Sequence, residues 1–133
     1  MTVDVTIDGS NFQFVTKDIT VNQCDTVRWT WTGSFSHSTT SIVGTPDSWD
    51  STLHTSGFVF SYTFVNVGFN RYRCALHGTS DGLGGMVGSV TVLTNGPELS
   101  PGSLLVVLPL LLAGTVIVFR HRSGLRPGND DPL

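Results

Sequence analysis

Apolar and polar residues alternate with a period of two along much of the chain. Val3, Val5 and Ile7 are separated by polar side chains, and Val27-Arg28-Trp29-Thr30-Trp31 repeats the pattern. Phe58, Phe60, Tyr62 and Phe64 carry it over a longer stretch, and Val90 and Val92 close the series. Side chains at i and i+2 share one face of a strand, so each run predicts a strand with one buried and one wet side. Asp8-Gly9, Asn22-Gln23, Thr32-Gly33, residues 66–68 and the glycine cluster at 82–85 interrupt the runs with residues favoured in turns. No window before residue 97 carries a helical stripe. Short strands at this spacing predict an all-β fold, a sandwich or barrel.

The pattern changes near the C-terminus. Residues 104–119 read LLVVLPLLLAGTVIVF, sixteen residues without a charge. With Pro101, Gly102 and Ser103 the uncharged run is nineteen residues, about 28 Å of helix at ~1.5 Å per residue, close to the ~30 Å hydrocarbon thickness of a bilayer. Arg120, Arg122 and Arg126 follow, while Glu98 precedes. The positive-inside tendency therefore predicts a cytoplasmic C-terminus and a β-domain on the outer face of the cell membrane. The expected organisation is a domain over 1–93, a Pro/Gly/Ser linker over 94–103, a C-terminal transmembrane helix over 104–119 and a short basic, polar tail over 120–133. The first twenty residues hold no basic segment and no continuous apolar run of a secretory signal, as expected either of a processed or trimmed chain or of a start placed too late. The tail resembles, weakly, bacterial C-terminal sorting signals: Pro97-Glu98, the apolar span, then Arg120 and Arg122. Leu99 stands where the best known of these signals has a second proline, and the tail is read as a membrane anchor.

Charge narrows the function. The 133 residues carry 7 basic and 10 acidic side chains, a net charge of −3, and Lys17 is the single lysine. Nucleic-acid binding needs clustered Lys and Arg, so that class is excluded. The 39% hydrophobic and 10% aromatic content supports a packed core and excludes disorder.

The residues able to do chemistry are few. Cys74 and His77 stand as Cys-Ala-Leu-His after the strand-like Asn70-Arg71-Tyr72-Arg73, and Met86 follows in Gly84-Gly85-Met86-Val87-Gly88. His37 lies far upstream, after the Trp29/Trp31 strand. Two imidazoles, a thiolate and a distant thioether form the His₂Cys set with a weak axial Met that binds electron-transfer copper. Zinc fits less well, because structural zinc sites use paired short-spaced ligands and only one such pair exists. A Cys24–Cys74 disulfide is the plain alternative outside the cytoplasm, and Cys24 otherwise reads as a small buried hydrophobe or an idle thiol. His54 reads as a surface residue, His121 as part of the basic flank, and Asp47-Ser48-Trp49-Asp50 as a solvated turn. At least one of Trp29 and Trp31 is expected to face the core, and neither is required for redox chemistry.

Residues 68–77 (GFNRYRCALH), residues 85–92 (GMVGSVTV), Asp25-Thr26-Val27-Arg28-Trp29 and His37-Ser38-Thr39-Thr40-Ser41 together resemble the small cupredoxins, the plastocyanin, halocyanin and amicyanin group, over roughly residues 3–93. The resemblance implies a Greek-key β-sandwich holding one type 1 copper ion on His37, Cys74, His77 and Met86, with His77 as the exposed ligand. It implies an electron carrier, not an enzyme, that passes single electrons between redox proteins and has no small-molecule substrate. A copper-carrying or copper-storing protein of the same fold is the alternative. A fragment of a multicopper oxidase or nitrite reductase ranks below both, since its further coppers need more histidines than the chain offers. Three departures mark this chain: the His77-to-Met86 loop is longer than in the family, Ser38 stands where Asn often braces the cysteine loop, and Cys24 stands where Gly is common.

Overall fold

The period-two runs become strands in the computed structural model, which describes residues 1–96. In chain order these are β1 (Thr2–Asp8), β2 (Gln13–Val15), β3 (Asp18–Asn22), β4 (Thr26–Thr32), β5 (Thr40–Ser41), β6 (Val59–Thr63), β7 (Gly68–Gly78) and β8 (Gly85–Leu93). β2, β3 and β5 were not foreseen: β2 and β5 are too short to display a period, whereas β3 alternates over its five residues, with Ile19 and Val21 inward. The expected transmembrane run lies outside the described residues. Among the described residues no helix is long and apolar enough to cross a membrane.

Two four-stranded sheets, ordered β2-β1-β4-β6 and β3-β8-β7-β5, form the all-β sandwich that the alternation predicts. β1 pairs parallel to β4, and β3 parallel to β8. Strands distant in sequence therefore lie side by side, the crossover connectivity of a Greek-key sandwich. The inward positions of β1 and β4 supply Val5, Ile7, Val27, Trp29 and Trp31, while β3, β7 and β8 answer with Ile19, Val21, Tyr72, Cys74, Met86, Val90 and Val92. Both tryptophans of β4 are fully buried. β6 is an edge strand, which is why Phe60 and Tyr62 are only half-buried despite their clean alternation.

Two turn expectations are corrected. Asp47-Ser48-Trp49-Asp50 is not a solvated turn: Trp49 and Asp47 are buried. The Trp49 ring packs against Trp29, Phe64 and Tyr72. Asp47 can be buried because its carboxylate accepts from the Asn66 side chain at 3.0 Å and the Tyr62 hydroxyl at 3.4 Å, while its own N–H donates to Asn70 Oδ1 at 2.8 Å. Cys24 is exposed, not buried, with φ +72° in the turn that the Asp25 N–H closes onto the Asn22 carbonyl. That left-handed conformation is the physical reason glycine suits the position.

One close approach links three neighbouring strands of the second sheet. The Tyr72 hydroxyl reaches across Gly88 to donate to the Lys17 carbonyl at 3.0 Å, and burial pushes its pKa well up. A Cβ on Gly88 would lie 2.5 Å from the Tyr72 ring and against the Lys17 carbonyl. Gly88→Ala is therefore expected to lower stability by about 1–3 kcal/mol, the usual cost of overpacking, measured as a lower midpoint with unchanged slope in denaturant unfolding.

Candidate metal centre

Alternation along β7 turns Asn70, Tyr72 and Cys74 inward, and all three are fully buried. Beyond Arg73 the ladder with β8 is interrupted. Arg73 pairs with Val87 and the next pair is Gly78 with Gly85. Four residues, Cys74, Ala75, Leu76 and His77, thus face a single one, Met86. This four-against-one irregularity takes the Cys-Ala-Leu-His segment out of the ladder and lets two side chains three residues apart aim at one point. The Arg73 guanidinium fastens it, donating to the Ala75 carbonyl at 3.2 Å and the Gly78 carbonyl at 3.1 Å. Gly85, with φ +74°, has no room for a side chain because a Cβ would strike the His77 carbonyl.

The extra length between His77 and Met86 does not carry the methionine away. Residues 79–84 close on themselves as a hairpin tip: the Thr79 N–H donates to the Gly84 carbonyl at 2.9 Å and the Gly82 N–H to the Thr79 carbonyl at 3.0 Å. The chain is back in register at Gly85, and Met86 is buried across from the bulge.

His37 reaches the same place from the segment after β4. Its backbone is held on both sides, its N–H donating to the His54 carbonyl and its carbonyl accepting the His54 N–H, each at 2.9 Å. The Trp31 indole N–H donates to that carbonyl as well, at 2.8 Å. His37 Nε2 lies 3.3 Å from the Gly9 carbonyl, which fixes the tautomer with the proton on Nε2 and the lone pair on Nδ1. Burial holds the imidazole below its ordinary pKa, with the neighbouring His77 adding to the effect and the Gly9 acceptor opposing it.

The donors converge. His37 Nδ1 is 3.7 Å from Cys74 Sγ, His77 Nδ1 is 3.5 Å from Cys74 Sγ, and the two nitrogens are 3.1 Å apart. An ion bonded at ~2.0 Å to nitrogen and ~2.3 Å to sulfur in a plane would set N···S edges near ~3.7 Å. The triangle therefore fits a trigonal His₂Cys centre. A cation at that point would be met at once by a nitrogen of each ring and by the sulfur.

Both cysteines are free, so the disulfide alternative is removed. Ser38, standing where Asn often braces the loop, braces it at two atoms: its N–H donates to Cys74 Sγ at 3.4 Å and its Oγ accepts the Ala75 N–H at 2.8 Å. Thr40 Oγ1 lies 2.8 Å from the same hydroxyl and holds it in place. The His54 ring is no part of the donor set; it stacks on Phe58 with Nε2 2.9 Å from the Ser51 carbonyl. Sequence reasoning missed the backbone role of His54, the Trp31 link to His37, and two aromatic rings at the mouth of the site. Phe12 lies edge-on to His77 at 4.7 Å and to His37 at 5.4 Å, and Phe35 packs on Phe12 at 5.2 Å.

An eight-stranded sandwich with a His₂Cys triangle between the β7 bulge and the segment after β4 defines a class of small copper proteins. The profile of the copper binding proteins, plastocyanin/azurin family, matches residues 1–93, and the chain belongs to that family. Among solved structures it is similar to the purple cupredoxin from Nitrosopumilus maritimus, with 22% identity and TM-score 0.54 over 68% of this chain and 98% of that one. It is likewise similar to a reduced Cu(I) form of amicyanin, with 22% identity and TM-score 0.54 over 67% of this chain and 81% of that one. A copper-containing nitrite reductase (NirK) from Thermus scotoductus aligns at 21% identity and TM-score 0.58 over 70% of this chain. The match spans only 22% of that enzyme's length. No curated protein sequence matches.

The Ser38 contacts yield a prediction. Ser38→Ala leaves the Ala75 N–H without its protein acceptor and is expected to cost about 0.5–1.5 kcal/mol of stability. Copper affinity should fall with it, measured by competition with a chelator of known strength.

Proposed function

We propose that this protein carries single electrons between redox proteins outside the cytoplasm, on a copper ion held by His37, Cys74, His77 and Met86. The observation that carries the reading is the buried His37–Cys74–His77 triangle, whose donor atoms lie 3.1–3.7 Å apart. Copper bound there would supply a Cu(I)/Cu(II) couple. The residues do the rest. Soft sulfur and imidazole suit both oxidation states, and a donor set fixed by Ser38, Trp31 and the His54 backbone needs little rearrangement between them. Burial of Cys74 and His37 keeps water from the donors.

The face around His77 is suited to brief docking. His77 is the partly exposed member of the triangle, and Phe12, Phe35 and Leu76 are exposed near it. Residues 9–12, 33–38 and 75–80 contain no Asp, Glu, Lys or Arg. An apolar, uncharged face of modest size favours a weak contact that dissociates after transfer. A single cluster of His, Cys and acidic donors able to hold a metal occurs among the described residues, which favours one-electron carriage over catalysis needing a second metal. The apolar stretch over 104–119 and the arginines after it support the further reading that the domain is tethered to the outer face of the cell membrane, where tethering raises its effective concentration for membrane-bound partners.

Two measurements test this. The oxidised copper protein is expected to show an intense visible absorption and a reversible one-electron wave, both lost in Cys74→Ala. A colourless cupric form, or tight Cu(I) binding with no stable cupric state, would instead favour copper carriage. After expression of the full chain in a bacterial host, the protein should sediment with membranes and resist extraction by high salt and carbonate. Recovery in the soluble fraction would remove the tether.

A further inference from the structure

The segment that carries Phe12 and the Gly9 carbonyl is a short loop, residues 8–12, between β1 and β2. Its fold depends on one carboxylate. Asp8 Oδ1 accepts the Ser10 N–H at 3.1 Å and the Asn11 N–H at 3.3 Å, and Asp8 Oδ2 accepts the Asn11 side-chain amide at 2.7 Å. This is an Asx turn closed at three points. The Gly9 N–H also donates to the Thr32 carbonyl at 3.0 Å, so the loop is seated on the end of β4.

Two consequences reach the metal centre. The Gly9 carbonyl is placed at 3.3 Å from His37 Nε2. There is no slack: a Cβ on Gly9 would lie 2.5 Å from the Thr32 carbonyl and 3.2 Å from His37 Cδ2. Phe12 is held at φ +53°, a left-handed conformation that a bulky residue adopts only when its surroundings impose it. That conformation brings its ring edge onto both imidazoles, with interplanar angles of 81° to each.

From this juxtaposition we propose that Asp8 is a positioning residue for the metal centre, folding the 8–12 loop so that Gly9 orients the His37 ring and Phe12 screens both histidines from water. The proposal rests on the copper reading of the site but acts through the metal-free loop as well. Asp8 touches neither imidazole in the contacts that define the loop; its charge also acts on His37 through space, in the direction that raises the pKa, and the positioning effect is the part that passes through Gly9 and Phe12.

The two ideas separate by experiment. In the metal-free protein, ¹⁵N NMR should find a His37 Nε2–H protected from solvent exchange. Asp8→Ala should speed that exchange about tenfold, the ~1.4 kcal/mol equivalent of losing one or two such hydrogen bonds. Asp8→Asn, which keeps an acceptor oxygen for the Ser10 and Asn11 N–H groups, should restore most of the protection. In the copper-loaded protein, Asp8→Ala should shift the reduction potential and let exogenous azide or imidazole perturb the visible band, while wild type and Asp8→Asn resist both ligands. Unchanged exchange in Asp8→Ala overturns the proposal. So does an Asp8→Asn protein that behaves like Asp8→Ala, because the effect would then belong to the charge and not to the folded loop. Wild type without a visible band would defeat the electron-carrier reading, yet the exchange result would still decide the role of Asp8.

Discussion

Everything in the described domain serves one awkward demand: three electron-rich atoms must face one another at a point from which water is largely kept out. Left to themselves, two imidazole lone pairs and a sulfur would turn away from such an arrangement or recruit water. The protein prevents this by leaving the side chains no other direction. His37 is clamped through both of its backbone polar groups and at Nε2; Cys74 is held by strand alternation and the Ser38 N–H; His77 is delivered by a bulge whose closing glycines admit no side chain. The rigidity comes from hydrogen bonds to backbone groups, which is why it does not depend on the identity of many side chains.

The sandwich supplies the stiff frame. β7 and β8 are the long partners at the centre of one sheet, and the β4 tryptophans of the other sheet lie against them across the core. Trp31 belongs to both systems, filling the interior with its ring and restraining the His37 carbonyl with its N–H. Core packing and metal geometry are therefore coupled at this residue. Loss of a buried tryptophan costs about 3–5 kcal/mol in general, and here it would also remove one of the three hydrogen bonds that restrain a ligand's backbone.

Much of the fold was legible because strands with a wet and a dry face must alternate, and β1, β4 and β8 do so without exception. β2 and β5, of three and two residues, are shorter than the pattern that would reveal them. The Cys-Ala-Leu-His spacing and the distant His37 pointed to the donor set because ligand chemistry demands particular side chains. What braces them was hidden for the opposite reason: His54 and Gly9 act through main-chain atoms that every residue possesses. Asp47 and Trp49 were misjudged because a polar, aperiodic stretch looks solvated unless one knows that Asn66 and Tyr62 will arrive from elsewhere to satisfy the carboxylate. Phe12 left no trace at all, since nothing in the identity of a phenylalanine announces a left-handed backbone. Ser38 marked only a departure from Asn in the sequence, because the distance at which its hydroxyl receives the Ala75 N–H is set by the fold.

The Gly78–Gly85 pair divides the loop between the last two ligands into parts with separate duties. On one side lie the residues that must meet the metal; on the other, a hairpin of six residues bonded chiefly within itself. The hydrogen bonds of that tip close within residues 79–84, so a change in its length or chemistry need not break any bond that holds the donors. The surface next to the site can thus be rewritten for a different docking companion while the electronic character of the centre stays as it was. A fold that insulates recognition from coordination in this way can change its associates without changing its redox behaviour.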